Sequence, residues 1–128
     1  MKFREFKLES GVIVLLGKDA ESNDELVKEF EGKENIILHT FAPGSPFCVI
    51  TDLSPSEKDI SESGAWCARF SQDWRDNKSD VKVDIFTGKD VKKKKGMKAG
   101  MWEVKKCKMK TIKKKKIEEL IDKDIKRQ

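Results

Sequence analysis

Cysteine, histidine, proline and long apolar runs are all scarce in this 128-residue chain. The three cysteines, Cys48, Cys67 and Cys107, are odd in number, lie far apart and form no Cys-x-x-Cys pair. Neither a disulfide framework nor a zinc site is indicated, and a reducing cytoplasm fits. The longest apolar run, Val12 to Leu16, has five residues, against the roughly 20 that cross a bilayer. The opening Met1-Lys2-Phe3-Arg4-Glu5-Phe6 has no apolar signal core. The expectation is a soluble cytoplasmic protein with no metal, no cofactor and no membrane partner. His39 is the one histidine, and no motif supplies the positioned carboxylate or nucleophile that a general base requires. Gly11, Gly17 and Gly32 are not spaced as a phosphate-binding glycine loop. Nothing here argues for an enzyme.

Charge, by contrast, is abundant and unevenly placed. Charged residues make up 40% of the chain, against about 25% in average proteins, while apolar residues still reach 37% and cluster as a folded domain requires. Residues 1–88 hold 11 Lys+Arg against 17 Asp+Glu, residues 89–116 hold 14 against 2, and residues 117–128 hold 3 against 4. The modest net charge of +5 thus hides one concentrated cationic segment. Such a block suits a polyanion such as nucleic acid.

The pattern predicts a single α+β domain over residues 1–128, mainly an antiparallel sheet of about six strands. Phe6 and Leu8 alternate with polar neighbours, Ser10-Gly11 offers a turn, and Val12–Leu16 is apolar on both faces, as a central strand would be. Ser22-Asn23-Asp24-Glu25 reads as a capping box opening a helix near 22–31 that Gly32 ends. Residues 36–41 and 47–50 read as a hairpin around a Pro43-Gly44 turn. Ser54-Pro55-Ser56-Glu57 reads as a second capping box, with Pro55 in the first helical position, opening a two-part helix near 55–74. Val81, Val83 and Ile85 alternate as a half-covered strand. Trp102 and Val104 keep one parity and Cys107 and Met109 the other, which predicts a sixth strand with a bulge at Lys105 or Lys106. Ile117, Leu120, Ile121 and Ile125 give a short amphipathic helix over 114–127, and no internal repeat is visible.

The lysine segment carries the functional reading. Lys92, Lys93, Lys94, Lys95 and Lys98 suit a loop that wraps a phosphate backbone, and Gly96 and Gly100 let the main chain approach closely. Lysines at a sheet edge also serve simply to prevent aggregation. The further cations Lys105, Lys106, Lys108, Lys110 and Lys113–Lys116 exceed that need. Trp102 could stack on a base, although a tryptophan in strand parity is more often core. Five lysines on single-stranded RNA predict a slope of log K on log salt of about −3.5.

Several of these segments together resemble the NFACT RNA-binding domain: Gly17-Lys18 with Asn23-Asp24 ahead of a helix, His39 followed by Pro43-Gly44-Ser45, a helix with Ala65, Ala68 and Ser71, and Val91 to Met101 with its lysines and glycines. The match runs from about Phe6 to Thr111. Gly17, Asn23, Asp24, His39, Pro43, Gly44, Ser45, Lys93, Lys95, Gly96 and Gly100 fit the family pattern residue by residue. The chain departs from it at Ile37-Leu38, where Trp-Phe is usual, at Pro46, where a second histidine is frequent, and at Asn35, where aspartate is common. The resemblance implies a compact α+β domain that binds RNA, rRNA or tRNA, in ribosome-associated quality control. At this length the chain reads as a stand-alone domain, to which the chain-tailing activity of long family members does not carry over. An adaptor for the large ribosomal subunit or for an RNA-thiolating enzyme, docked through the C-terminal helix, is the alternative. Catalysis on RNA around His39 and Ser45 is a weaker one.

Overall fold

The structure is a computed structural model that describes residues 2–40 and 45–127. Its strands are β1 (Arg4–Lys7), β2 (Ile13–Leu16), β3 (Ile36–Thr40), β4 (Cys48–Ile50), β5 (Val81–Thr87), β6 (Val91–Lys92), β7 (Glu103–Val104) and β8 (Lys108–Ile112). The helices are α1 (Ala20–Phe30), α2 (Glu57–Arg69), α3 (Gln72–Asn77) and α4 (Lys114–Arg127). Six strands form one antiparallel sheet in the order β1-β2-β4-β3-β5-β8, and β6 and β7 pair as a separate two-stranded ribbon. The α+β class and the strand number agree with the sequence reading.

Alternation along the strands feeds two cores. Val14, Leu16, Leu38, Cys48, Ile50, Val81, Val83 and Ile112 pack on Ala65, Trp66, Cys67 and Ala68 of α2, Trp74 of α3 and Ile117 of α4. On the opposite face, Leu15, Ile37, Val49 and Phe86 pack on Leu26, Val27 and Phe30 of α1 and on Val91, Trp102 and Val104 of the ribbon. This two-sided burial explains why β2 is apolar at every position. At the first turn, Gly11 adopts a φ of +96° and its N–H donates to the Leu8 carbonyl.

The helix starts differ from expectation. The first helix begins at Ala20 with Asp19 as its cap: the Asp19 carboxylate accepts the Ser22 N–H at 2.8 Å, and the Ser22 hydroxyl accepts the Asp19 N–H at 3.0 Å. Ser22 is therefore the reciprocal partner of the box rather than the cap, and the ionised carboxylate takes the stronger, charge-assisted position. The second helix is capped by Ser56 with Asp59, so Pro55 precedes the cap instead of entering the helix. The two-part helix breaks at Phe70 and Ser71, where the Ser71 hydroxyl caps α3 by accepting the Trp74 N–H at 3.2 Å.

The bulged sixth strand is instead two strands. Glu103–Val104 pairs with β6 and Lys108–Ile112 with β5. The parity change at Lys105 and Lys106 marks where the chain leaves one sheet and enters another. Pro43 and Gly44, and the turn expected there, lie outside the described residues.

Candidate nucleic-acid interface

The lysine segment forms a compact double turn. The Met97 N–H donates to the Lys94 carbonyl and the Met101 N–H to the Lys98 carbonyl, each at 3.1 Å. Gly96 and Gly100 sit third in these turns with φ of +89° and +82°, the region that glycine enters without steric penalty. Lys-Lys-Gly-Met and Lys-Ala-Gly-Met are thus one four-residue turn used twice.

One carboxylate oxygen clips this loop to α1. Asp24 Oδ1 accepts from the Gly100 N–H at 2.8 Å, from Lys93 Nζ at 3.0 Å and from Trp102 Nε1 at 3.0 Å. The same Lys93 ammonium donates to the carbonyls of Lys98 at 2.6 Å and Met101 at 2.8 Å, and lies 5.3 Å from the Trp102 ring centroid. All three of its donors are engaged internally, so Lys93 braces the loop from inside. Lys94 pairs with Glu103 at 2.6 Å, and the Lys94 ammonium holds the Glu103 carboxyl below the usual carboxylate range. Lys92, Lys95 and Lys98 are exposed and, among the described residues, have no carboxylate within ion-pair distance. Lys105 and Lys106 lie at the other end of the ribbon, where the Lys105 N–H donates to the Asp90 carbonyl at 2.7 Å. The structure therefore separates the predicted cations into an internal brace, an ion pair, three outward groups on or beside the loop and a pair at the ribbon base.

Beside the loop is a groove of about 630 Å³. It opens at the end of the sheet where β1 begins, β2 and β3 end and β4 begins. Gly17, Asn23, His39, Ser45 and Gly100 all line it. They arrive from separate stretches of sequence, and packing explains their identities. A Cβ on Gly17 would stand 1.9 Å from Asn23 Oδ1. Asn23 is buried, its Oδ1 accepts the Phe47 N–H at 3.0 Å, and the Gly17 N–H donates to the Phe47 carbonyl at 3.1 Å. Glycine at 17 and asparagine at 23 are thus two halves of one contact.

His39 stacks on Phe47 with ring centroids 3.9 Å apart and planes 10° from parallel. Burial lowers its pKa to about 4 against an opposing hydrogen bond to the Ser45 backbone, so the imidazole is neutral at neutral pH. Ser45 is buried, and its hydroxyl accepts the Gln72 N–H at 3.2 Å. The serine hydroxyl thus serves to dock α3 rather than to partner the histidine. Asn35, where the family pattern favours aspartate, donates from Nδ2 to the carbonyls of Ile50 and Thr51, both at 3.1 Å. A carboxylate could not make those two bonds.

Sequence reasoning missed the arginines of the groove. The Arg4 guanidinium lies 4.6 Å from the Phe70 ring centroid and that of Arg69 5.1 Å from it. Arg69 pairs with Asp124 at 2.5 Å, whereas Arg4 donates to the Gly17 carbonyl at 3.4 Å and Arg75 to Gln72 Oε1 at 2.7 Å. These residues lie far from the lysine run in sequence, and only the fold brings them to its side. The apolar face of α4 is largely taken up within the chain: Ile117 is buried and Leu120 and Ile121 pack on the α2 side of the core, leaving Ile125 exposed. Among the described residues no cluster of ligating side chains could hold a metal ion, and no helix is long and apolar enough to cross a membrane.

Known proteins match this chain in sequence and in fold. The chain is 36% identical over 92 residues to the Rqc2 homolog RqcH of Bacillus subtilis, covering 71% of this chain and 16% of that protein. It is 29% identical over 68 residues to the archaeal Rqc2 homolog aRqcH of Methanocaldococcus jannaschii, covering 52% of this chain and 10% of that protein. The chain therefore spans a small fraction of the length of these relatives. The solved C-terminal part of the fibronectin/fibrinogen-binding protein from Streptococcus suis superposes with a TM-score of 0.80 at 26% identity, covering 93% of this chain and 49% of that one. The sequence profile of the NFACT protein RNA-binding domain matches residues 2–106, and the chain belongs to that family.

Proposed function

We propose that this domain binds RNA through the double-turn loop and the adjoining groove, and that the RNA is rRNA or tRNA handled in translation quality control, the setting that the family resemblance implies. Its role is binding rather than catalysis. The observation that carries the reading is the convergence of Gly17, Asn23, His39, Ser45 and Gly100 on one groove bordered by unpaired cations. Lys95 and Lys98 project from the loop, Lys92 stands at its base, and Arg4 and Arg75 flank the groove without carboxylate partners among the described residues.

The geometry also revises the expected salt dependence. With Lys93 internal and Lys94 paired, three lysines of the segment remain for phosphates. On single-stranded RNA these three contribute about −2 to the slope of log K on log salt, in place of the −3.5 expected of five. A salt titration by fluorescence anisotropy measures it. A slope near zero, or unchanged affinity when Lys92, Lys95 and Lys98 are replaced by glutamine, would remove the loop from the mechanism. Crosslinking in cells with sequencing of the attached RNA would separate rRNA from tRNA.

A further inference from the structure

We infer that the groove receives one unstacked nucleotide of an unpaired RNA strand, the base against the apolar wall and the flanking phosphates on the cationic rim. The inference rests on the RNA-binding reading above and gives it a substrate class. At about 630 Å³ the recess has the size of a small-ligand site. A duplex turns its bases inward and offers mainly 2′-hydroxyls and phosphates across a shallow groove, which meets a flat cationic face and leaves a recess empty.

The lining suits a splayed base. Phe47, Phe70, Met101 and Trp102 supply an apolar wall, and two guanidinium groups already lie against Phe70. Aromatic rings and guanidinium planes are the surfaces on which unpaired bases stack. Arg4 and Arg75 in the groove lining supply the cationic rim, and Lys98 is exposed on the loop next to the lining residue Ala99.

His39 adds a directional contact. A neutral imidazole has one N–H and one lone-pair nitrogen. Among the described residues no side-chain or backbone donor is within hydrogen-bond distance of a ring nitrogen, so the neutral His39 in the groove lining keeps its lone-pair nitrogen as a hydrogen-bond acceptor. A base amino or imino group, or a 2′-hydroxyl, is the matching donor, and all of these are free on an unpaired nucleotide.

The test titrates the full chain into a ten-nucleotide single-stranded RNA with a central 2-aminopurine, and into the same strand annealed to its complement. Anisotropy gives the affinities and 2-aminopurine emission reports stacking. The single strand is expected to bind about tenfold or more tighter than the duplex, with a change in emission. His39→Phe, which keeps the ring against Phe47, is expected to lower single-strand affinity about threefold to tenfold and leave duplex affinity unchanged. Equal, salt-sensitive affinity for both forms with constant emission overturns the nucleotide seat while leaving RNA binding intact. Failure of both forms to bind at low salt overturns the RNA-binding reading itself. The wild-type comparison decides the matter even if the variant melts early.

Discussion

Replacing Asp24 with alanine sets two physical arguments against each other. Seen only as charge, the substitution removes an anion beside a cationic loop and should strengthen RNA binding. The effect is small: at about 10 Å from a phosphate in water, the removed repulsion amounts to roughly 0.4 kcal/mol before screening, about a factor of two. Seen as structure, it removes the shared acceptor of Gly100 N–H, Lys93 Nζ and Trp102 Nε1. Charge-assisted hydrogen bonds of this kind contribute about 1.5–3 kcal/mol when well buried. The Lys93 and Asp24 side chains are each 28% exposed, and a discount for solvent leaves about 2 kcal/mol for the set. Without the clip the double turn must be ordered by the RNA, and ordering even two side chains costs about 1–2 kcal/mol of binding free energy. Asp24→Ala is therefore expected to weaken RNA binding roughly threefold to fifteenfold, although the protein becomes more positive. Its Tm should fall by roughly 6–8 °C. Asp24→Asn, which keeps an acceptor oxygen but loses the charge, should fall between. Anisotropy at fixed salt and a thermal melt measure both quantities. An Asp24→Ala variant that melts like the wild type and binds RNA equally or more tightly would refute the clip.

Lys93→Gln and Lys95→Gln remove the same charge from the same loop and should behave differently. Lys95→Gln should leave the Tm unchanged and reduce the magnitude of the salt slope by about 0.7, whereas Lys93→Gln should lower the Tm, because its ammonium bonds to Asp24, Lys98 and Met101 from within. Equal melts for the two would dissolve that distinction. Gly17→Ala drives a Cβ to 1.9 Å from Asn23 Oδ1; the displaced amide abandons the Phe47 N–H, and a loss of about 3 kcal/mol, roughly 10 °C in Tm, is expected by calorimetry. His39 gives the pH dependence. Its pKa lies at about 4 in the fold against an ordinary 6.5, so between these values the unfolded chain binds a proton that the folded chain does not. The stabilisation is full above pH 6.5 and declines as pH falls toward 4, by roughly 2 kcal/mol after allowance for partial exposure. Burial raises the pKa of Glu62 and Asp84, which act with the opposite sign. The measurement is therefore the difference between denaturant melts of wild type and His39→Phe across this window, and a difference independent of pH would contradict the burial argument.

How far the sequence could be read depended on the range of the interactions involved. Strand alternation, the two-part character of the second helix and the amphipathic last helix are local patterns, and each appears in the fold. The helix caps were misplaced by three and two residues: Ser22 is the reciprocal partner of the true cap Asp19, and Ser54-x-x-Glu57 has the same spacing as the true box Ser56-x-x-Asp59. The split of the expected sixth strand escaped notice because a parity change looks the same whether the strand bulges or changes sheets. The groove was legible as a set of residues but not as an object. Gly17 and Asn23 matched a family pattern, yet their reason for being together is a contact between side-chain oxygen and missing Cβ that no spacing rule encodes. The arginines carried no signal at all, since Arg4, Arg69 and Arg75 are ordinary surface residues until the fold sets them beside the loop.

The lysine run shows why composition alone overstates a binding surface. Four consecutive lysines repel one another and cannot all face one strand of RNA. The fold resolves this by giving them different environments: Lys93 turns inward to an aspartate and two carbonyls, Lys94 crosses to Glu103, and Lys92 and Lys95 remain outward. The carboxylates that a charge map would count against RNA binding are the groups that hold the remaining cations in place. Preorganisation of this kind lowers the ordering cost of association. A loop made more basic by removing Asp24 or Glu103 should for that reason be a poorer RNA ligand than the one the sequence encodes.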